Sequence, residues 1–284
     1  MESAFWDRVV AGGHKVPADR PLADLTAELT SMLGEADPYL RDEIAYATLA
    51  TWVSEGVYDE LLHGLGDGMA AGLTVGIGEQ GTDTVFRRSF SALMLAECIE
   101  RGSDQAVLAD DTILRWGDRL AGWLVRERDL RGFVPGKGWA HAVAHGADAI
   151  AALAATDAFG RLELTVLLDV IADRLLTPTT ARFMHAEDDR LARATMQILR
   201  RDLVALEVLE PWVARLAQAS RPAGSPVGAA SVDTDPFLVA GNVQSYLRSL
   251  HLQLALAPRP PACRSDLLLA LIEQLKKANP HYLG

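Results

Sequence analysis

The chain has 284 residues, of which 49% are hydrophobic, 23% are charged and only 6% are aromatic, and its formal net charge is −11. This acidic balance excludes general affinity for nucleic acid, whose phosphates require a basic protein surface. The two cysteines, Cys98 and Cys263, lie too far apart to indicate a disulfide framework or a thiolate zinc site. Because no run of about 18 apolar residues occurs, we expect a cytoplasmic protein without a membrane span.

Alanine and leucine dominate the apolar residues, and apolar positions recur at helical spacing, which predicts an all-α protein. The first clear amphipathic helix is predicted over 21–34. A second is expected to run from Pro38 to about Ser54, because Asp37 is a favoured N-cap and proline is favoured at the first helical position.

Further helices follow along the chain, separated by short turns rich in Gly, Pro or Asp, and the sequence predicts no strand. Their expected ranges are 58–73, 83–101, 109–127, 138–156, 160–176, 187–202, 203–219, 236–256 and 264–278. The small residues and prolines of 221–234 indicate a flexible connector. We expect one helical-repeat domain over 1–284.

Helices that begin with polar residues recur about every 50 residues, near Asp42, Arg87, His141, Arg190 and Asn242. This interval fits an αα-hairpin and predicts a right-handed α-α superhelix of HEAT- or armadillo-like antiparallel helix pairs. The marked helices would then line one inner surface. Alternatively, charges collect at helix starts because caps and dipoles favour them, although the dipole disfavours arginine there.

Two histidines and an aspartate have the most informative spacing. His141, His145 and Asp148 stand at i, i+4 and i+7, which predicts one stripe of a helix starting near Gly138. Two imidazoles and a carboxylate suit a divalent metal ion, so a zinc, iron or manganese site is one interpretation. Acid–base catalysis by a histidine that Asp148 orients is a second, and a packed structural network is the third.

Basic residues near this segment indicate an anionic ligand. Arg87 and Arg88 are suited to a bidentate clamp on a carboxylate or phosphate, and Lys137 lies just before a predicted helix start. Trp139 either stacks on a planar ligand or packs in the core. The Gly-Lys-Gly loop is not a Walker motif, so no nucleotide cofactor is indicated. Internal salt bridges with Asp42 and other carboxylates are the alternative for these cations.

Further candidate ligand contacts lie in the second half of the chain: Asp188, Asp189, Arg190, Asn242 and Tyr246. The acidic pair lacks the third aspartate of a DDxxD motif, so diphosphate chemistry is not expected. A helix start that collects carboxylates is the simpler interpretation of that pair. No GxSxG motif marks a serine hydrolase.

Four blocks, in this order, resemble domain of unknown function family 2785, a bacterial family: DEIAYATLATW, DTVFRRSFSALMLA, DLRGFVPGKGWAHAVAHGAD and HAEDDRLARA. The resemblance spans about residues 3–205 and implies an α-helical repeat fold without an established activity. The family's blocks contain many of the polar candidates: Asp42, Arg87, Arg88, Lys137, His141, His145, Asp148, Asp188, Asp189 and Arg190.

The leading hypothesis is therefore an enzyme or small-molecule-binding protein with a polar concave site for an anionic ligand. The rival is a HEAT-like scaffold whose inner surface receives a peptide or helix of another protein. The net charge disfavours a third hypothesis, a DNA-base glycosylase.

Overall fold

The computed structural model describes residues 3–220, 235 and 237–283. Its α-helices are α1 Ser3–Ala11, α2 Leu22–Met32, α3 Ala47–Ser54, α4 Leu62–Gly72, α5 Thr84–Asp104, α6 Asp110–Arg126, α7 Ala142–Ala155, α8 Arg161–Leu176, α9 Glu187–Leu199, α10 Leu206–Ala219, α11 Phe237–Leu256, α12 Arg264–Ala278 and α13 Pro280–Leu283. A π-helix covers Tyr39–Tyr46, and strands β1 Phe133–Val134 and β2 Gly138–Trp139 form a small hairpin. The predicted connector 221–234 lies outside the described residues.

The prediction of an all-α protein is confirmed. The chain divides into two compact units, Met1–Ala158 and Phe159–Gly284. In the first unit α5 packs against α4 and α7, and in the second α9 packs against α11 and α10 against α12. None of the described helices is both long and apolar enough to cross a membrane. The expectation of one helical-repeat domain over 1–284 stays a prediction.

The helix expected from Pro38 starts where predicted, but its first half is a π-helix. The Asp37 carboxylate accepts a hydrogen bond from the backbone amide of Tyr39 at 2.9 Å, as expected of an N-cap. The wider π turns coincide with a buried guanidinium, that of Arg41, whose carbon lies 4.2 Å from the ring centre of Phe86. π-helical turns are rare and occur often at functional sites.

The helix expected over 138–156 begins only at Ala142, which corrects its predicted start. Gly136 and Gly138 have φ angles of 77° and 76°, and this left-handed backbone lets residues 133–139 turn into the hairpin instead. His141 is also left-handed, with a φ of 52°, and occupies the N-cap position of α7. The expectation of no strand is thus wrong for this short segment.

Candidate functional site

The segment between α6 and α7 carries Trp139 and His141, and a buried ion pair anchors its start. The Arg88 guanidinium donates to both carboxylate oxygens of Glu127, at 2.6 and 2.9 Å, and both side chains are fully buried. Arg88 also donates to the carbonyls of Val75 and Gly76. Its hydrogen bonds thus go to groups of the protein itself, which matches the internal salt-bridge interpretation.

Two further cations hold the hairpin. The Lys137 ammonium lies 2.6 and 2.7 Å from the two carboxylate oxygens of Asp83, and Arg41 donates to the backbone carbonyl of Lys137 at 2.9 Å. Arg41 also donates to Asp42 at 2.8 Å, and burial raises the pKa of the Asp42 carboxyl despite that pairing. Lys137 and Asp42 therefore position the loop by contacts within the protein.

Arg87, the second residue of the predicted clamp, takes a different direction from Arg88. Its guanidinium donates to the backbone carbonyl of Thr30 in α2, and burial lowers its pKa. The two arginines therefore bind groups on separate elements, and they do not form one bidentate clamp. The side-chain positions give no support to the predicted anion contact.

A continuous row of rings crosses the first unit beside α7. In order it contains Phe133, Trp139, His141, His145, Phe90 and Tyr46, with ring centres 4.3 to 6.2 Å apart from one member to the next. Phe133 and Trp139 are 48% and 41% exposed, whereas His145 is only 5% exposed. The row thus leads from an exposed aromatic surface to a buried imidazole.

His141 belongs to this row through stacking. Its ring lies nearly parallel to that of Trp139, with 4.3 Å between the centres and an angle of 16°. Because His141 precedes the first turn of α7, the predicted stripe of three residues on one helix is wrong at its first position. His145 and Asp148 remain on α7, three residues apart, which places them on neighbouring positions of one face.

His145 has a defined hydrogen-bond partner. Its Nδ1 lies 2.8 Å from the hydroxyl of Ser89, and that hydroxyl donates its one proton to the carbonyl of Ala140. The Ser89 oxygen therefore accepts from His145, so Nδ1 carries a proton. Any proton that His145 gains or loses is then carried on Nε2.

A polar cluster lies at the other end of the ring row. The Tyr46 hydroxyl donates to the carboxylate of Glu97 in α5 at 2.8 Å. Burial raises the pKa of Tyr46, and the negative charges of Glu97 and Asp148 raise it further. All three side chains are half-buried, so the hydroxyl and both carboxylates form a partly accessible polar face.

Sequence reasoning misses Ser89, Phe90 and Glu97 as members of this site. Phe90 and Glu97 stand seven residues apart on α5, so they share one face of that helix. That spacing alone does not separate them from ordinary core and surface positions. Their importance depends on α7, which packs against the same helix.

The predicted metal site is not supported by the side-chain arrangement. Within residues 3–220, 235 and 237–283, no three side chains of His, Cys, Asp or Glu converge in an arrangement that holds a metal ion. His141 contributes to a ring stack, and His145 contacts Ser89. The two imidazoles and Asp148 therefore do not form a three-ligand set in this arrangement.

The remaining candidates lie in the second unit. Asn242 is buried, and its amide bonds the segment before α9: the oxygen accepts from Arg182 at 2.7 Å and the nitrogen donates to the carbonyl of Ala181 at 3.0 Å. The buried Tyr246 hydroxyl lies 2.6 Å from that of Thr195. These contacts stabilise the packing of α9 against α11.

The acidic start of α9 also contacts α11. The Asp189 carboxylate accepts from Ser249, and its carbonyl accepts from Gln253 at 2.9 Å. Burial and the neighbouring Asp189 charge raise the pKa of Asp188. Arg190 follows on the same helix and is half-buried. The contacts of Asp189 agree with the interpretation of a helix start that collects carboxylates.

Comparison with known proteins identifies one family. A family model described as protein of unknown function (DUF2785) matches residues 73–252, a range that begins and ends later than the resemblance expected from the sequence. Searches of curated proteins and of solved structures found no match. The matched range includes the ion pair of Arg88, the ring stack of His141 and the whole of α7. Since it covers more than half of the 284 residues, the chain belongs to this family of proteins of unknown function.

Proposed function

We propose that the first unit binds a small ligand that presents hydrogen-bond donors, such as hydroxyl or amine groups, to the face formed by Tyr46, Glu97 and Asp148. The observation that carries the proposal is the 2.8 Å hydrogen bond from Tyr46 to Glu97, on a half-buried face where Asp148 adds a second carboxylate. Ionised carboxylates only accept hydrogen bonds, so they favour donor groups and repel anions. We therefore propose a neutral or cationic ligand in place of the anionic ligand that the sequence predicted.

The ring row supplies the apolar part of this site. Trp139 is 41% exposed and is backed by His141, so it offers a flat surface for the apolar face of a ligand.

Proton transfer is a second capability of the site. Because Ser89 holds the Nδ1 proton of His145, Nε2 is the position at which this imidazole exchanges a proton. An imidazole whose Nδ1 proton is held in this way is a candidate general acid or base. We therefore propose an enzyme or binding protein for a hydroxyl- or amine-bearing molecule.

The ligand class is tested by titrating the protein with neutral sugars, amines and organic phosphates and following amide NMR shifts. We expect sugars or amines to shift resonances of α5 and α7. The Glu97→Gln, Asp148→Asn variant should bind them at least about tenfold more weakly, the loss that follows from removing charge-assisted hydrogen bonds. An Asp104→Asn variant, changed at an exposed aspartate of α5, is the matched control. Binding of phosphates but not of sugars or amines would exclude the proposal.

The protonation of His145 is tested separately by 15N NMR of the histidine side chains. At neutral pH we expect a proton on Nδ1 in the native protein, and loss of that preference in a Ser89→Ala variant, because the acceptor for Nδ1 is removed. A His145→Gln variant assigns the signal. An unprotonated Nδ1 in the native protein would contradict the hydrogen-bond assignment.

We also propose that the helices form stacked antiparallel pairs of the HEAT-like kind. In the first unit α5 packs against α7 while α4 packs against α6, and in the second α9 packs against α11 while α10 packs against α12. Packing between every second helix is what stacked helix hairpins produce. This pattern supports the repeat interpretation within each unit.

A further inference from the structure

A groove unrelated to the polar face lies between α2 and α4 in the first unit. Its volume is about 370 Å³. Ala23 and Ala27 contribute the α2 wall, and Gly64 and Gly68 contribute the α4 wall. These four residues are exposed, whereas Met69, which also lines the groove, is buried. The groove therefore has a mostly apolar lining, and small residues form part of each wall.

Close packing within the protein requires glycine at two positions of α4 and does not require it at two others. A Cβ atom at Gly66 would lie 2.1 Å from the ring of Trp116, and one at Gly72 would lie 2.1 Å from the hydroxyl of Ser91. At Gly64 and Gly68, apart from the adjoining residues and the nearby backbone of α4 itself, no heavy atom of the described chain lies within 4 Å of the Cβ position. Glycine weakens a helix, and no close neighbour within the protein requires it at these two positions. Packing within the protein therefore does not account for this pair.

The two wall segments of the groove carry an excess of negative charge. The wall segments 21–32 and 55–72 contain six carboxylates and neither lysine nor arginine. Arg20 neutralises Glu28 and Arg101 neutralises Asp59 from outside these segments. Asp24 and Glu60 are exposed. The rim therefore favours a basic occupant and repels an anionic lipid surface.

We propose that this groove binds an amphipathic α-helix of a basic partner protein. Alanine and glycine walls let the backbone of such a helix approach closely, and its apolar side chains would fill the lining while lysine or arginine side chains meet the acidic rim. A second copy of this chain is disfavoured, because a two-fold symmetric contact would place the same acidic rim against itself.

The test uses a 14-residue helical peptide with a leucine and alanine face and a lysine face, labelled for fluorescence anisotropy. We expect it to bind the full chain and to bind a Gly64→Leu, Gly68→Leu variant at least tenfold more weakly, because the leucines occupy the groove. Gly122→Leu is the matched control, since Gly122 is also an exposed glycine within a helix and has open space around its Cβ position. The control should bind as the native chain does.

Charge is tested with an Asp24→Asn, Glu60→Gln variant, which should bind more weakly and with a smaller dependence on salt. Asp104→Asn, Asp118→Asn removes two exposed charges elsewhere in the same unit and should leave binding unchanged. The proposal is overturned if the peptide does not bind the native chain, or if the two leucines leave its affinity unchanged. It is also overturned if the leucines abolish self-association of the chain or binding to anionic vesicles, since either result assigns the groove to another occupant.

Discussion

An Arg88→Met variant is expected to lose about 3 to 5 kcal/mol of its free energy of unfolding. The substitution would leave the buried Glu127 carboxylate without the guanidinium that binds both of its oxygens. It would also remove the donor to the carbonyls of Val75 and Gly76. Urea unfolding followed by circular dichroism measures the loss.

Two controls separate the buried charge from the general effect of losing an arginine. Arg115 pairs with Asp111 on the exposed surface of α6, so Arg115→Met should cost less than about 1 kcal/mol. An Arg88→Met, Glu127→Gln variant should recover part of the loss, because it removes the unpaired buried charge while the amide oxygen still accepts from the backbone amides of Arg128 and Asp129. A double variant less stable than Arg88→Met alone would contradict the assignment of the effect to an unpaired carboxylate.

Two neighbouring glycines of α4 are expected to respond in opposite directions to the same substitution. Gly66→Ala should lower the free energy of unfolding by about 1 to 3 kcal/mol, because the new methyl group would overlap the ring of Trp116. Gly68→Ala should raise it by about 0.5 to 1 kcal/mol, because alanine favours the helix and meets no close neighbour. Thermal or urea unfolding of both variants measures the difference.

The informative result is the sign of each change in the free energy of unfolding. If both alanines stabilised the protein equally, then α4 and α6 would not be in the close contact that Trp116 indicates. If both destabilised it, Gly68 would have a packing role within the protein and the open groove would be placed in doubt. Gly122→Ala provides the reference value for an exposed glycine of a helix.

Three cations link the stability of the protein to its candidate site. Arg88 fixes the start of the segment that carries Trp139 and His141, and Lys137 and Arg41 fix the hairpin within it. Arg88 and Lys137, two of the residues predicted as anion contacts, therefore act on the ring row by positioning it. The sequence alone does not distinguish a cation that contacts a ligand from a cation that holds a loop in place.

The positions of most helices were determined by the sequence alone. The predicted ranges 160–176 and 264–278 agree with α8 Arg161–Leu176 and α12 Arg264–Ala278 within one residue at each end. Family membership was likewise readable from short blocks. Helical spacing, capping residues and turn residues are local signals, and each is complete within about 20 residues of chain.

Only the tertiary structure decided what the polar residues contact. Glu127 is 39 residues from Arg88, and Glu97 is 51 residues from Tyr46, so neither partner could be identified from helical spacing. The left-handed backbone of His141 likewise removed it from a stripe that spacing had predicted. Periodicity indicates which face of a helix is buried. The partner that a buried charge or imidazole meets depends on which helices pack together, and that is a property of the folded chain.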